Sequence, residues 1–315
     1  MKLISSLAAI ALATSCASAQ FTLGAVFDPA DRAAFVSIAF APASDEIYAY
    51  PEFGTAIDVY STVGNLLRTI PRPGLLSNDI DLDVTTAPIS VGGTTVPTGT
   101  LLVLNSEDSG SETLFALDPA GSVLASQVLA IDGQAVGGAH HHARGTFFVA
   151  DWSADTIREY APGDGAAIAA WPVQPAGSPP FDIYFGDLDC LRGTQTVFVV
   201  SSSQPRIREF SSSGAFIRDI DVTPFSITGM SGIAFDDRRG EAWIASINGT
   251  ITQLAGFPAT NEGCPADWNN DSSVDGDDVV AFFSQWDENN ADFNADGGTD
   301  GDDVIDFFAR WDNGC

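Results

Sequence analysis

Two twelve-residue runs near the C-terminal end carry oxygen-bearing side chains at the spacing of a cation loop. The first presents Asp267, Asn269, Asp271, Asp275 and Asp278; the second, 25 residues further on, presents Asp292, Asn294, Asp296, Asp300 and Asp303. These are loop positions 1, 3, 5, 9 and 12. A hard divalent ion takes roughly six to eight oxygens at about 2.3–2.6 Å, and acids at alternate positions round a turn deliver them, helped by a backbone carbonyl. Calcium suits such a loop better than magnesium, which tolerates crowded protein cages poorly. Two calcium ions are therefore the expected cofactors. Gly297 eases the turn of the second loop, whereas Ser272 stands at that place in the first, so the first site is expected to be the weaker.

Each loop runs into a near-identical segment, Asp278–Trp286 and then Asp303–Trp311. Val279, Phe282, Phe283 and Trp286 follow the i, i+3, i+4, i+7 spacing of an amphipathic helix. A duplicated loop–helix unit of this kind resembles the dockerin type I domain, over Cys264 to Cys315. The resemblance implies a calcium-folded module that docks to a cohesin-like scaffold or a cell-surface partner. Positions 10 and 11 carry Gly276-Asp277 and Gly301-Asp302, where many dockerins carry a Ser/Thr pair. Cys264 and Cys315 bracket the module, and a disulfide between them would clasp its ends.

Residues 21–257 are rich in Gly, Ser and Thr, with short apolar alternations and no long helical period, which reads as all-β. Gly137–Asp151 aligns without gaps with Gly232–Ser246, and Ser37–Pro51 takes the same register. A third strand follows in Ile57–Tyr60, Ile157–Tyr160, Ile207–Phe210 and Ile251–Leu254; a fourth follows in Leu66–Ile70, Ile168–Val173 and Phe216–Val222. Four short antiparallel strands in repeat are the pattern of a propeller blade. The unit resembles NHL-type and lactonase-like β-propellers. Five units are expected, at 33–70, 78–131, 136–174, 183–222 and 229–257, with six if the long second unit hides another. The second is interrupted by an insertion at about Thr85–Gly99, and Phe21–Phe27 can supply the strand missing from the last.

In propellers of this kind ligands are expected where the loops entering strand 1 meet those joining strands 2 and 3. Those loops present Glu52, Asn105, Glu107, Asp108, Asp151, Trp152, Gln204 and Asn248, with Asp79 and Asp187 at strand-1 entrances. Such carboxylates and amides can hold a cation or bind sugar hydroxyls, with Trp152 as a stacking surface; alternatively, Asp151 and its equivalents only cap turns. His140, His141 and His142 are the sole histidines. Two of them can contribute to a transition-metal site. The other reading has His140 packed at the place of Phe40 and Phe235, with its two neighbours at the surface. Cys190 reads as a buried thiol. No nucleophile elbow, zincin helix, P-loop or dinucleotide fingerprint is present.

Met1-Lys2, the apolar stretch Leu3–Ala13 and Ala17-Ser18-Ala19 read as a secretory signal over residues 1–19. The expected organisation is then a propeller at 20–257, a linker at 258–263 and the calcium module at 264–315. The net charge is −29, and residues 264–315 set fourteen acids against Arg310 alone. No basic stripe exists, which argues against nucleic acid, and no later segment has the length to insert in a membrane. The expectation is a secreted protein that docks through its C-terminal module and binds an extracellular ligand, a glycan, on its propeller. The alternative is a polysaccharide hydrolase or lyase, or a lactonase, with acids at the propeller mouth.

Overall fold

A computed structural model describes residues 21–29, 32, 34–72, 79–106, 112–131, 133–163, 165–259, 266, 268, 276–287, 291–293 and 298–313. Five four-stranded antiparallel sheets form the blades of a propeller. Strand β1 (Thr22–Phe27) precedes the first complete blade, which comprises β2 (Phe35–Ala41), β3 (Glu46–Pro51), β4 (Ala56–Ser61) and β5 (Leu66–Pro71). Blade 2 begins with β6 (Asp79–Val84), is interrupted by the hairpin β7 (Ile89–Val91) and β8 (Thr94–Val96), and resumes with β9 (Leu101–Ser106), β10 (Glu112–Leu117) and β11 (Val123–Leu129). Blade 3 contains β12 (Ala135–His141), β13 (Thr146–Asp151), β14 (Thr156–Tyr160) and β15 (Ala167–Pro172). In blade 4 come β16 (Asp187–Leu191), β17 (Thr196–Val200), β18 (Arg206–Ser211) and β19 (Phe216–Asp221). Blade 5 is β20 (Met230–Asp236), β21 (Glu241–Ser246) and β22 (Ile251–Ala255), completed by β1.

The ring is closed by the pairing of Thr22 with Ala255 and Phe27 with Ile251, so the first strand covers what would be an open edge. The insertion holds a two-stranded hairpin and no sixth blade. Burial follows position in the blade. The innermost strands β2, β12 and β20 are buried at every residue, whereas the outermost β5, β15 and β19 keep one face in water. Five apolar clusters each span two neighbouring blades, including one between blades 5 and 1. The core is therefore a set of sheet-on-sheet interfaces arranged as a circle.

Innermost strands approach so closely that side chains run out of room. A Cβ at Gly137 would lie 2.7 Å from the Cα of Asp187, which explains glycine in the middle of a buried strand.

Two helices follow, α1 (Gly276–Asp287) and α2 (Gly301–Asn313), where the amphipathic spacing places them. Phe282 and Phe307, equivalent residues of the repeat, stack at 4.2 Å between centroids. They share a small core with Ala266 and Ala291, against which Trp268, Phe293 and Trp311 pack.

Candidate functional site

The innermost strands end at the turns joining first and second strands, and there the channel collects its ionisable groups. Asp83 stands near the end of β6, His140 of β12 and Asp189 of β16, while Arg192 and Asp237 begin the turns after β16 and β20. With Phe40, Phe235 and Cys190 they line one small chamber.

Each carboxyl ties one blade to the next. Asp83 Oδ2 accepts the backbone N–H of His140 at 2.7 Å, and its Oδ1 accepts that of Val84 at 2.6 Å. Asp189 accepts from Cys190 and Phe235 at 2.6 and 2.8 Å. Asp237 accepts from the backbone and the Nε of Arg192 at 2.8 and 3.0 Å. These bonds satisfy backbone donors where blades meet without a shared ladder.

Crowding acids in a dry place makes ionisation costly. Burial, with Asp237 nearby, pushes the Asp83 carboxyl up to about 7. Asp237 rises to about 6 through burial, against the pull of Arg192. Asp189 is raised well above the usual carboxylate range by burial and by Asp83 and Asp237. Burial and then the neighbouring His142 and His141 push His140 down to about 3, so its imidazole is neutral. Its Nδ1 is 3.8 Å from Asp83 Oδ2, and among the described residues its Nε2 has no hydrogen-bond partner. Asp83 is not sealed off, since 15% of its side chain remains exposed. Burial also raises the Cys190 thiol, which suits packing and not nucleophilic attack.

Beside the chamber, and sharing Val84, Thr86 and Arg192 with it, is a cavity of about 370 Å³. Its wall is the blade 2 insertion, contributing Thr85, Thr98 and Gly99, and Arg238 faces it from blade 5. Thr85 Oγ1 donates to the Pro97 carbonyl at 2.9 Å and accepts from the Thr100 N–H at 3.0 Å, which pins the base of the insertion. Thr86 Oγ1 lies 3.2 Å from His142 Nδ1. Volume, apolar walls and a few fixed polar groups are those of a small-ligand pocket.

This pocket is on the face opposite to the one the repeat pattern favours, because the insertion lies between the first and second strands of blade 2. On the favoured face, Asp151 is buried at the end of β13; it accepts from Ala154 N at 3.2 Å and pairs with Arg158 at 2.8 Å, which is turn capping. Glu52 is half-buried, its N–H bonded to the Ala34 carbonyl. Asn248 is exposed and contacts Ser246 and Thr228. Trp152 packs against Tyr184 and Phe185. Asp187 is buried in the channel, its carboxylate accepting from Leu188 and Ile233. Glu107 and Asp108 lie outside the described residues. His140 packs as its alignment with Phe40 and Phe235 implies, but His141 is buried too, against Phe148, which corrects its assignment to the surface.

Of the calcium-loop residues, Asp267, Asn269, Asp271, Asp275, Asn294 and Asp296 lie outside the described residues, as do Cys264 and Cys315. Asp278 and Asp303 are fully buried at the starts of their helices. Asp303 accepts from Phe293 N at 2.8 Å and Asp300 N at 2.7 Å. Asp292 is half-buried. Among the described residues no three His, Cys, Asp or Glu side chains converge to hold a metal ion.

No protein-family model matches the chain, and no curated protein matches it. Among solved structures it is similar to a gluconolactonase from Xanthomonas campestris, with 14% identity over 73% of this chain and 89% of that one, at a TM-score of 0.49. A protein of unknown function from Bacteroides caccae is 17% identical over 67% of this chain and 69% of that one, at a TM-score of 0.41. Virginiamycin B lyase from Staphylococcus aureus is 13% identical over 71% of this chain and 66% of that one, at a TM-score of 0.40. With likenesses this distant, the reading of the site rests on its own geometry.

Proposed function

We propose that the propeller is a secreted hydrolase or lyase of the lactonase-like kind, with its acid–base centre at the end of the channel holding Asp83 and His140. The observation that carries this reading is the placement of Asp83, still 15% exposed, 3.8 Å from the imidazole of His140 and beside a cavity of ligand size; burial, which raises the carboxyl to about 7, agrees with it. A general base works best with a pKa near the operating pH. Ionised Asp83 takes a proton from water as the water oxygen bonds to a lactone or ester carbonyl carbon. When the ring C–O bond breaks, the same carboxyl returns the proton to the departing oxygen. In a lyase variant the proton comes from carbon beside a carboxyl group, and the leaving oxygen departs from the next carbon. Neutral His140 is a poor base at this pKa; packed beside Asp83, it keeps that carboxyl in a dry setting without competing for its proton. Arg192, paired with Asp237 at 3.0 Å, stands at the cavity edge.

The test is an assay of the full chain on sugar-acid lactones and uronic-acid polysaccharides from pH 5 to 9. Activity should rise as Asp83 ionises through about pH 7, and Asp83→Asn should lower kcat by roughly 10²-fold or more without unfolding. Undiminished activity in that variant, or no activity on any substrate, would reject the reading.

The C-terminal unit supports a second reading, as a calcium-folded docking module. Asp267, Asn269, Asp271, Asp275 and Asp278 would hold one calcium ion, and Asp292, Asn294, Asp296, Asp300 and Asp303 the other. The chemistry of the donors fits: they are hard oxygen ligands, and Asp278 and Asp303 are buried where a nearby cation would offset the cost of their charge. Val280 and Ile305 occupy equivalent places in the repeat and are 69% and 66% exposed, which leaves an apolar position on each helix free to meet a cohesin-like partner. Calorimetric titration of the chelator-treated full chain should reveal two calcium-binding events; an absence of binding heat would remove this reading.

A further inference from the structure

On the face of the propeller opposite the acid–base chamber, we infer that Trp152, Tyr184 and Phe185 form a polysaccharide-binding surface. The fourteen-residue connection from β15 to β16 is long for a propeller crossover, and it is anchored along its length. Arg208, fully buried, donates to the carbonyls of Val173 and Pro179 at 2.9 and 3.0 Å and covers the Phe181 ring at 4.6 Å. Asp155 Oδ1 accepts the Ile183 N–H at 2.9 Å. Ser201 and Ser202 bind the backbone of Tyr184 on both sides.

This anchored loop presents Tyr184 to solvent, with Phe185 and, from the β13–β14 turn, Trp152 half-buried beside it. Tyr184 is 43% exposed, and its ring lies 5.1 Å from Trp152 and 4.8 Å from Phe185. Phe185 sits at a φ of 39°, a left-handed conformation that costs energy for a side chain of this size and that the loop anchors maintain. Beside the rings stand Asp182 and Ser203, exposed, and Gln204, half-buried; Asp182 accepts from Ser203 and Gln204 at 2.8 and 3.0 Å.

A sugar ring fits this chemistry. Its apolar C–H face stacks on an aromatic ring while its hydroxyls reach the carboxylate, hydroxyl and amide groups beside it. The same face also carries Phe53, 71% exposed at the turn after β3, with a φ of 56°. Two separate aromatic footholds suit a polymer, which gains avidity by meeting both. The surface does not depend on the acid–base reading of the other face.

The test is electrophoresis of the full chain in native gels containing β-glucan, xylan, galactomannan, starch or polygalacturonate. At least one polymer should slow migration. Tyr184→Ala, an exposed change, should weaken that retardation about tenfold at an unchanged melting temperature, and Tyr184→Phe should retain it. Phe53→Ala should weaken polymer binding while leaving a short oligosaccharide unaffected. Retardation by none of the polymers, or full retardation in Tyr184→Ala, would overturn the inference.

Discussion

Asp83 and His140 sit in one chamber yet respond to pH in opposite ways. From pH about 4 up to about 7 for Asp83 and about 6 for Asp237, the folded chain keeps protons that the unfolded chain has released, so their contribution to stability falls as pH rises. His140 does the reverse. Between about 3 and 6.5 the unfolded chain binds a proton that the folded chain refuses, so stability rises with pH there. The Asp83 share should emerge on comparing melting temperatures of wild type and Asp83→Asn. Wild type is expected to lose ground to the variant from pH 5 to 8, and parallel curves would mean an ordinary carboxylate at this position. Cys190 offers a simpler check. Its raised thiol is buried in the blade 3–blade 4 core, so the thiol signal that Cys190→Ala abolishes should appear only after denaturant is added.

At the scale of elements, a few buried contacts hold strands and connections in place. Arg208 pairs bidentately with Asp219 at 2.7 and 2.8 Å and holds the β15–β16 connection through two carbonyls. Removing one partner of a buried pair costs about 3–5 kcal/mol. Arg208→Met should therefore lower unfolding free energy by about that much in urea titration, and Arg208→Lys should not restore it, because an ammonium cannot reproduce the planar fork. Gly137→Ala tests the approach of β12 to β16. A methyl group there meets backbone at 2.7 Å, so a loss of about 1–3 kcal/mol is expected from the same measurement.

For the whole molecule, ring closure is the feature with the largest consequence. Strand β1 covers β22, and without it blade 5 would present an unpaired edge ready to recruit another chain. Deleting residues 21–27 should raise light scattering at micromolar concentration and lower the melting temperature, while a monomeric, equally stable product would show the closure to be dispensable. The C-terminal unit has its own aromatic core around Phe282 and Phe307, apart from the five blade interfaces. If calcium folds it, chelator should reduce helical circular dichroism and leave the β signal intact.

The sequence was enough to give five repeat units, a strand at Phe21–Phe27 able to close the ring, the insertion in blade 2, the two C-terminal helices and a buried Cys190. The count of five rather than six blades waited on the hairpin inside that insertion. Strand alternation and helix spacing are local, so they survive in a one-dimensional string. The placement of the chamber could not be read that way. Asp83, His140, Asp189 and Asp237 come from four different blades and meet only because the innermost strands converge on one axis; along the chain they are separated by 48 to 57 residues. Their pKa shifts likewise depend on the absence of water, which no spacing records. Asp151 illustrates the converse. Its position in the repeat suggested a ligand, and folding gave it Arg158 and a turn to cap. Tertiary structure decided which acids became turn caps, which became latches between blades, and which of those latches still face a cavity.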